Sequence, residues 1–343
     1  MRLAAAPPRA PAAHRARCRR PPRRRLAPCS AATGWEAHAS PPFALPPVHV
    51  ARDAAEAEAL LSRHVISAGG AGDDDSASPL VLGFDTESRP LGFGGAGRVA
   101  LLQLATPTAV VLLPLLRFDT PPSLARLLSR PVLLCGVSSH EDALALAAAA
   151  PGARLRAVAV DVATAAARHG CAGDDRTAAA PRIGLAALVA ALGGPVLDKP
   201  RSVTLSNWEK WPLREAQVNY AALDAFASGW AACALHATVQ ARAGATAEPL
   251  GAWLRAEAAT QAEERVAQAA RSAAAMKVLL AAAAEKPAGQ RRRELVAAAS
   301  RALPDENLSY LSNQVKKMVK RSMLLEDVAT YGVKPKGAPQ KGA

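Results

Sequence analysis

Three short apolar runs, Leu80–Phe84, Val99–Leu104 and Val110–Leu116, constrain this chain more than any other feature. They are rich in Val and Leu, and Gly, Pro and Thr interrupt the chain between them. Runs this short are strand-sized, and their composition predicts neighbouring strands of a sheet buried on at least one face. Val132–Val137 and Val158–Val162 extend the series to a fourth and a fifth strand. Apolar residues at helical spacing fall in Ala54–Val65, Pro121–Ser129, Glu141–Ala149, Ile183–Leu192 and the long stretch Leu213–Leu235. The order β-β-β-α-β-α-β-α-α from Leu80 onward predicts an α/β domain, a mixed sheet flanked by helices.

With 343 residues the chain can form one large domain or two ordinary ones. The 50% hydrophobic content overstates the core, because much of it is alanine and only 4% of residues are aromatic. No run of 18 strongly apolar residues exists, which excludes a transmembrane helix. The five cysteines are odd in number, scattered and without a CxxC pair. That argues against a disulfide scaffold or a zinc module and fits a reducing compartment.

The net charge of +13 is unevenly placed. Residues 1–34 hold nine arginines and no acid, residues 251–343 hold 16 basic and 9 acidic side chains, and the body between them holds 17 basic and 20 acidic. An Arg-, Ala- and Pro-rich, acid-free start is the composition of a transit peptide, so delivery to a chloroplast or mitochondrion is expected. A nuclear-localisation cluster over Arg15–Arg25 and a plain disordered leader are the competing readings. Residues 1–40 are therefore set apart from the fold as a basic leader, and globular character begins at Pro46.

The acids of the body carry the chemistry. Asp85 and Glu87, in Gly83-Phe84-Asp85-Thr86-Glu87, lie at i and i+2 at the end of a strand, so their side chains point to one face. Two like charges side by side call for a cation, and hard oxygen ligands suit magnesium or manganese. Tyr220 and Asp224 are four apart in a helix and share a face. Asp142, in Gly136-Val137-Ser138-Ser139-His140-Glu141-Asp142, falls in the first turn of a helix, where the dipole alone would favour a carboxylate. His140 and Glu141 read as helix-entry or rim residues. Taken singly, each pattern also fits solvated surface acids and a core tyrosine.

In this order, an acidic pair on the first strand, an acid after the fourth and Tyr-x-x-x-Asp on the last helix resemble the DEDDy branch of the 3′–5′ exonuclease superfamily. Ribonuclease D and the proofreading domain of DNA polymerase I belong to that branch, and the exonuclease domain of the Werner-syndrome protein is most similar. Arg98–Leu104, Leu197-Asp198-Lys199, Ser206-Asn207-Trp208 and Leu213–Asp224 continue the resemblance, which spans residues 78–240. It implies a ribonuclease H-like fold and a two-metal phosphodiesterase releasing nucleoside 5′-monophosphates from 3′ ends of DNA or RNA. On that reading Asp85, Glu87, Asp142 and Asp224 hold two Mg²⁺ or Mn²⁺ ions, and Tyr220 orients the attacking water. Leu101, Gln103, Lys199, Arg201 and Trp208 are the implied nucleic-acid contacts, although Trp208 reads equally as a packing anchor and the cations as solvated. Ser88 stands where relatives often carry tryptophan, and Phe93 is the only aromatic of the glycine-rich loop Leu91–Gly97. All five positions of the pattern are filled, which favours an enzyme over its rival, a catalytically silent nucleic-acid-binding module of the same fold.

The expected domains are a leader over 1–40, the exonuclease domain over 46–245, a basic helical appendage over 250–330 and a disordered tail over 331–343. In the appendage, residues 251–285 read as a helix docked through Trp253 and Leu254, and Arg291–Arg293 opens a second. Asn307–Asp327 reads as a third, with Leu308, Leu311, Val315, Met318 and Val319 as its apolar face. Its lysines would add affinity for phosphates or simply face water. No protein partner is indicated.

Overall fold

The apolar runs pair into one sheet. Its strands are β1 (Val48–Val50), β2 (Leu80–Ser88), β3 (Val99–Ala105), β4 (Val110–Leu113), β5 (Val132–Gly136) and β6 (Val158–Asp161), in the spatial order β1-β4-β3-β2-β5-β6. β3 lies antiparallel between β2 and β4, while β1–β4, β2–β5 and β5–β6 are parallel, so the sheet is mixed as expected. The computed structural model describes Trp35 and residues 42–69, 79–89, 98–150, 156–172, 183–244, 248–284, 292–320, 324–327 and 330–333. Most of the basic leader, the loop after Gly69, the glycine-rich loop with Phe93 and the tail from Lys334 lie outside them.

Helix α1 (Ala54–Leu60) continues as a π-helical turn over Leu61–Ile66. It packs with α2 (Pro122–Leu128) and α3 (Ser139–Ala149) against one face of the sheet, over Leu82, Phe84, Leu102, Leu104 and Leu134. The other face carries Val81, Leu101, Leu112, Leu133 and Cys135 under α4 (Val162–Arg168), α5 (Leu185–Ala191) and the long α7 (Glu215–Ala243). Burial on both faces explains why the central strands read as unbroken apolar runs rather than as alternating ones. β4 stops short of the predicted Leu116 because Pro114 has no N–H to donate. The edge strand β1 has no sequence signature: three residues are too few to show a period.

α7 lies on the sheet because small residues line its contact. A Cβ on Gly83 of β2 would stand 2.0 Å from the carbonyl oxygen of Ala225 and 2.8 Å from the amide of Gly229. Only glycine permits that approach. Gly229 in turn faces the ring of Trp35. This tryptophan, inside the stretch assigned to the leader, is instead 1% exposed in the main core. Its indole N–H donates to the Ala105 carbonyl at 3.3 Å and its ring meets Phe226 at 5.5 Å.

The C-terminal helices are α8 (Leu250–Ala284), α9 (Arg292–Ala302) and α10 (Leu308–Lys320). α8 docks on the main core through Trp253 and Leu254, as expected, the Trp253 ring lying against His169 and His236, and its Gln261 guards the edge strand β6. The Asp161 amide donates to Gln261 Oε1 and Gln261 Nε2 donates to the Asp161 carbonyl, both at 2.9 Å. One side-chain amide thus occupies the hydrogen-bonding groups that a further strand would take. Glu257 of α8 also pairs with Arg168 and, at 2.7 Å, with His169. The far half of α8 forms a separate core with α9 and α10, including Leu279, Leu295, Leu311, Val315 and Met318.

Two expectations fail here. The single helix over Asn307–Asp327 ends at Lys320, and Leu324–Asp327 (β7) pairs antiparallel with Thr330–Val333 (β8). The partner strand, with its Thr, Tyr and Val, lies beyond the stretch read as helical and supplies the pairing. Leu308, expected on the apolar face, is 59% exposed. Among the described residues no helix is long and apolar enough to cross a membrane.

Candidate active site

The strand period carries Gly83, Asp85 and Glu87 to the α7 side of β2, beside Val81. Opposite them on β3 stand Ala105, Gln103 and Leu101, and after Glu87 the pairing shifts by one residue at a bulge. Such a bulge re-aims side chains where a ladder ends. The Gly83–Ala225 contact then brings Asp224 against the strand that carries Asp85. Tyr220, one helical turn earlier, follows on the same side.

Asp224 is 1% exposed. Its Oδ2 takes the Lys199 ammonium at 2.8 Å, and its Oδ1 is buried without a hydrogen-bond partner. The same ammonium lies 5.3 Å from the centre of the Tyr220 ring. The Tyr220 hydroxyl accepts a hydrogen bond from Thr204 Oγ1 at 3.1 Å. Thr204 closes the short helix α6 (Arg201–Thr204), and its carbonyl accepts from Trp208 Nε1 at 3.2 Å. The Trp208 ring leans on Tyr220 at 5.9 Å. Buried Gln217 fastens the segment before α7, donating to Ser206 Oγ at 2.9 Å and to the Asn207 carbonyl at 3.2 Å.

Asp142 enters differently. Thr86, between the two strand acids, points to the other face, and its hydroxyl donates to Asp142 Oδ1 at 2.5 Å. The turn before α3 places Ser138 in a left-handed conformation, φ 61°, while its amide donates to Asp161 Oδ2 at 3.0 Å. Asp85, Glu87 and Asp224 therefore share one side of β2, and Asp142 approaches its end from the α3 layer.

Burial raises the proton affinity of all four carboxylates, and for the two strand acids the neighbouring carboxylates add to it. Asp85 is held well above the usual carboxylate range by burial and by the charges of Asp224 and Asp142. Glu87 is pushed up to about 9 by burial, with Asp85 and Asp224 adding. Burial also raises Asp142, against the Thr86 hydrogen bond, and Asp224, against Lys199. Burial alone would lower Lys199, yet Asp224 outweighs it and the ammonium is stabilised. Tyr220 is pushed up to about 12 by burial and by Asp224, so its hydroxyl keeps its proton at neutral pH.

An all-oxygen, half-buried set with excess negative charge, one orphaned carboxylate oxygen and a lysine supplying a single positive charge fits hard divalent cations in charge and donor type. It is not a preformed cage: among the described residues no three His, Cys, Asp or Glu side chains converge closely enough to hold an ion. Lys199 supplies the compensating charge instead.

The expected nucleic-acid contacts need correction. Leu101 and Gln103 are fully buried, because β3 runs between β2 and β4 beneath α7, and neither offers surface to a polymer. Gln103, opposite Asp85, has no partner among the described residues at either amide atom. Trp208, 2% exposed, packs Tyr220 in place instead of offering a stacking platform. Lys199 turns inward to Asp224, and Arg201 is exposed at the start of α6. His140 and Glu141 line a cavity of about 610 Å³ between α3, α4 and α8. Thr86, Thr204 and Gln217 escape the motif reading although they orient its residues. Gln217 stands three residues before Tyr220 in the same phrase, and Thr86 lies between the two strand acids, but a lone Thr or Gln carries no signal of its own.

A family model described as 3′–5′ exonuclease matches residues 49–228. No curated protein matches the chain. Among solved structures, the exonuclease domain of Aedes aegypti Nibbler is 24% identical, with 61% of this chain and 94% of that one covered and a TM-score of 0.47. The catalytic core of Rrp6 from Trypanosoma brucei is 16% identical, covering 64% and 53%, with a TM-score of 0.46. An EXD2 exonuclease domain soaked in Mn is 26% identical, covering 53% and 84%, with a TM-score of 0.29.

Proposed function

Because the chain belongs to the DEDD-type 3′–5′ exonuclease family, we propose that it shortens polynucleotides one residue at a time from the 3′ end, releasing nucleoside 5′-monophosphates. The observation that carries the reading is that Asp85 and Glu87, on one strand face, lie near enough to Asp224, whose Oδ1 is buried and unpartnered, for its charge to raise the proton affinity of both. The four carboxylates would hold two divalent ions, Mg²⁺ or Mn²⁺, which when bound supply the charge neutralisation and water activation of a two-metal site.

The chain's own groups then divide the work. Thr86 holds Asp142 by its Oδ1, leaving Oδ2 for a ligand. Thr204 occupies an acceptor position of the Tyr220 oxygen, so the phenolic proton points away from it, toward Asp224 or a water or phosphate oxygen held beside it. A hydroxyl pushed up to about 12 serves as a hydrogen-bond donor and not as a general base. Trp208 and Gln217 fix that hydroxyl by holding the segment beneath it. The catalytic acids act on phosphates common to RNA and DNA, so both are substrates to test.

The test is a cleavage time course on 5′-labelled single-stranded RNA, matched DNA and a duplex with a recessed 3′ end, with Mg²⁺ or Mn²⁺. Asp85→Asn is run alongside. A ladder shortening by single nucleotides from the 3′ end, lost in the variant, is the expected result. Intact substrate in every lane with binding retained would favour the silent binding module. That second reading draws on the Lys199–Asp224 pair, which already neutralises part of the site, and on the absence of a converged acidic triple among the described residues.

A further inference from the structure

We propose that the cleft between α9 and α10 binds the phosphate backbone of the polynucleotide away from its 3′ end, an inference that rests on the exonuclease reading. The cleft has a volume of about 690 Å³, the size of a site for an organic ligand and not for a lone anion. Its polar lining is Arg292, Arg293, Lys316, Ser309, Ser312 and Asn313, and among the described residues no carboxylate lines it. It shares no residue with the carboxylate site.

The two helices are built to present that lining. On α10, Leu311, Val315 and Met318 are fully buried against α8 and α9. Ser309, Ser312, Asn313 and Lys316 recur at intervals of three and four, and so form a second, polar stripe on the same helix. Arg292 and Arg293 open α9 on the other side of the cleft. Guanidinium forks engage phosphate oxygens two at a time, and hydroxyl and amide groups are the usual further donors to a sugar-phosphate backbone. Leu308, 59% exposed, adds an apolar wall against which a sugar or base can lie.

Charge bookkeeping favours a polynucleotide. Residues 35–250 carry 17 basic against 20 acidic side chains, and four of those acids crowd one site. Even with the buried site acids Asp85 and Glu87 protonated, that body offers a polyanion no net attraction. Residues 292–320 hold six basic and three acidic side chains, and one of the acids, Glu306, is committed to Arg271. The attraction for a long substrate therefore comes from outside the catalytic body.

The experiment uses the full chain carrying Asp85→Asn, so that substrate survives, and reads the anisotropy of a 5′-labelled 20-nucleotide single strand from 50 to 200 mM salt. Arg293→Ala with Lys316→Ala removes two phosphate contacts. The slope of log affinity against log salt should become shallower by about 1.4, at about 0.7 per contact on single strands. Over a fourfold salt range the affinity lost by the double variant is then about sevenfold greater at 50 mM than at 200 mM. Thermal melting of the variant, unchanged from its parent, separates this effect from unfolding. An unchanged slope in a folded variant overturns the proposal. So does a poly-glutamate peptide that competes for the cleft as well as the oligonucleotide does. Because binding is read without cleavage, failure here is distinct from failure of the exonuclease reading.

Discussion

Replacing Gly83 with alanine tests the contact that seats Asp224 beside the strand acids. The new Cβ would meet the Ala225 oxygen at 2.0 Å and the Gly229 nitrogen at 2.8 Å, both backbone atoms that no rotamer change can move. Ordinary contact begins near 3.4 Å, so α7 must retreat from β2 by about 1.4 Å. Overpacking of this kind costs about 1–3 kcal/mol. At about 2–4 °C per kcal/mol for a body of this size, the melting temperature should fall by about 2–12 °C. A reacting group misplaced by about 1 Å can cost on the order of 100-fold in rate. Mononucleotide release by Gly83→Ala should therefore drop far more than the small unfolded fraction at 25 °C explains. Gly229→Ala supplies the contrast: its Cβ would meet the Trp35 ring at 2.6 Å, a side chain that can shift, so stability falls while turnover per folded molecule is largely kept. Melting by circular dichroism and initial rates with Mg²⁺ measure both quantities. A Gly83→Ala protein that melts with the parent and cleaves at its rate would refute the idea that this contact positions the site.

Trp35→Ala should cost about 3–5 kcal/mol in urea unfolding, since it empties a fully buried indole site; a loss under 1 kcal/mol would return Trp35 to the leader. In chelator-treated protein the urea midpoint should fall as pH rises from about 4.5 to about 9, because across that window the fold keeps the Glu87 proton, whose loss is pushed up to about 9, while the unfolded chain has already released it. Glu87→Gln should flatten that trend, and a midpoint that rises with pH over the same range would contradict the crowded-acid description. Gln261→Ala strips the edge of β6 of both partners at Asp161 and should cost about 1–3 kcal/mol; hydrogen exchange at the Asp161 amide, unchanged in the variant, would rule out the edge-guarding role.

How far the sequence leads depends on the range of the interaction concerned. β2, β3 and β5 are legible because their apolar residues are local and contiguous, and α7 because its signal extends over many turns. Asp85 and Glu87 share a face by strand period alone, and Tyr220 and Asp224 by helix period alone. β1 is too short to carry a period, and β7 depends on a partner strand beyond the helix-like stretch that precedes it. Gln103 reads as a polar residue available for contact, yet a central strand buries it.

Local periodicity thus determined the fold class, the membership of the acidic pair and the tyrosine–aspartate pair, and the separation of charge between body and ends. The two halves of the site met only through tertiary structure, at Gly83, where a missing Cβ lets α7 touch β2. Tertiary structure also decided that Lys199 faces Asp224 instead of solvent, that Thr86 rather than another acid grips Asp142, and that Trp35 belongs to the core. Each of these is a contact between residues distant in the chain. Spacing along a strand or helix reports which side chains share a face, but which faces meet is settled by packing and by the need to pair buried charge.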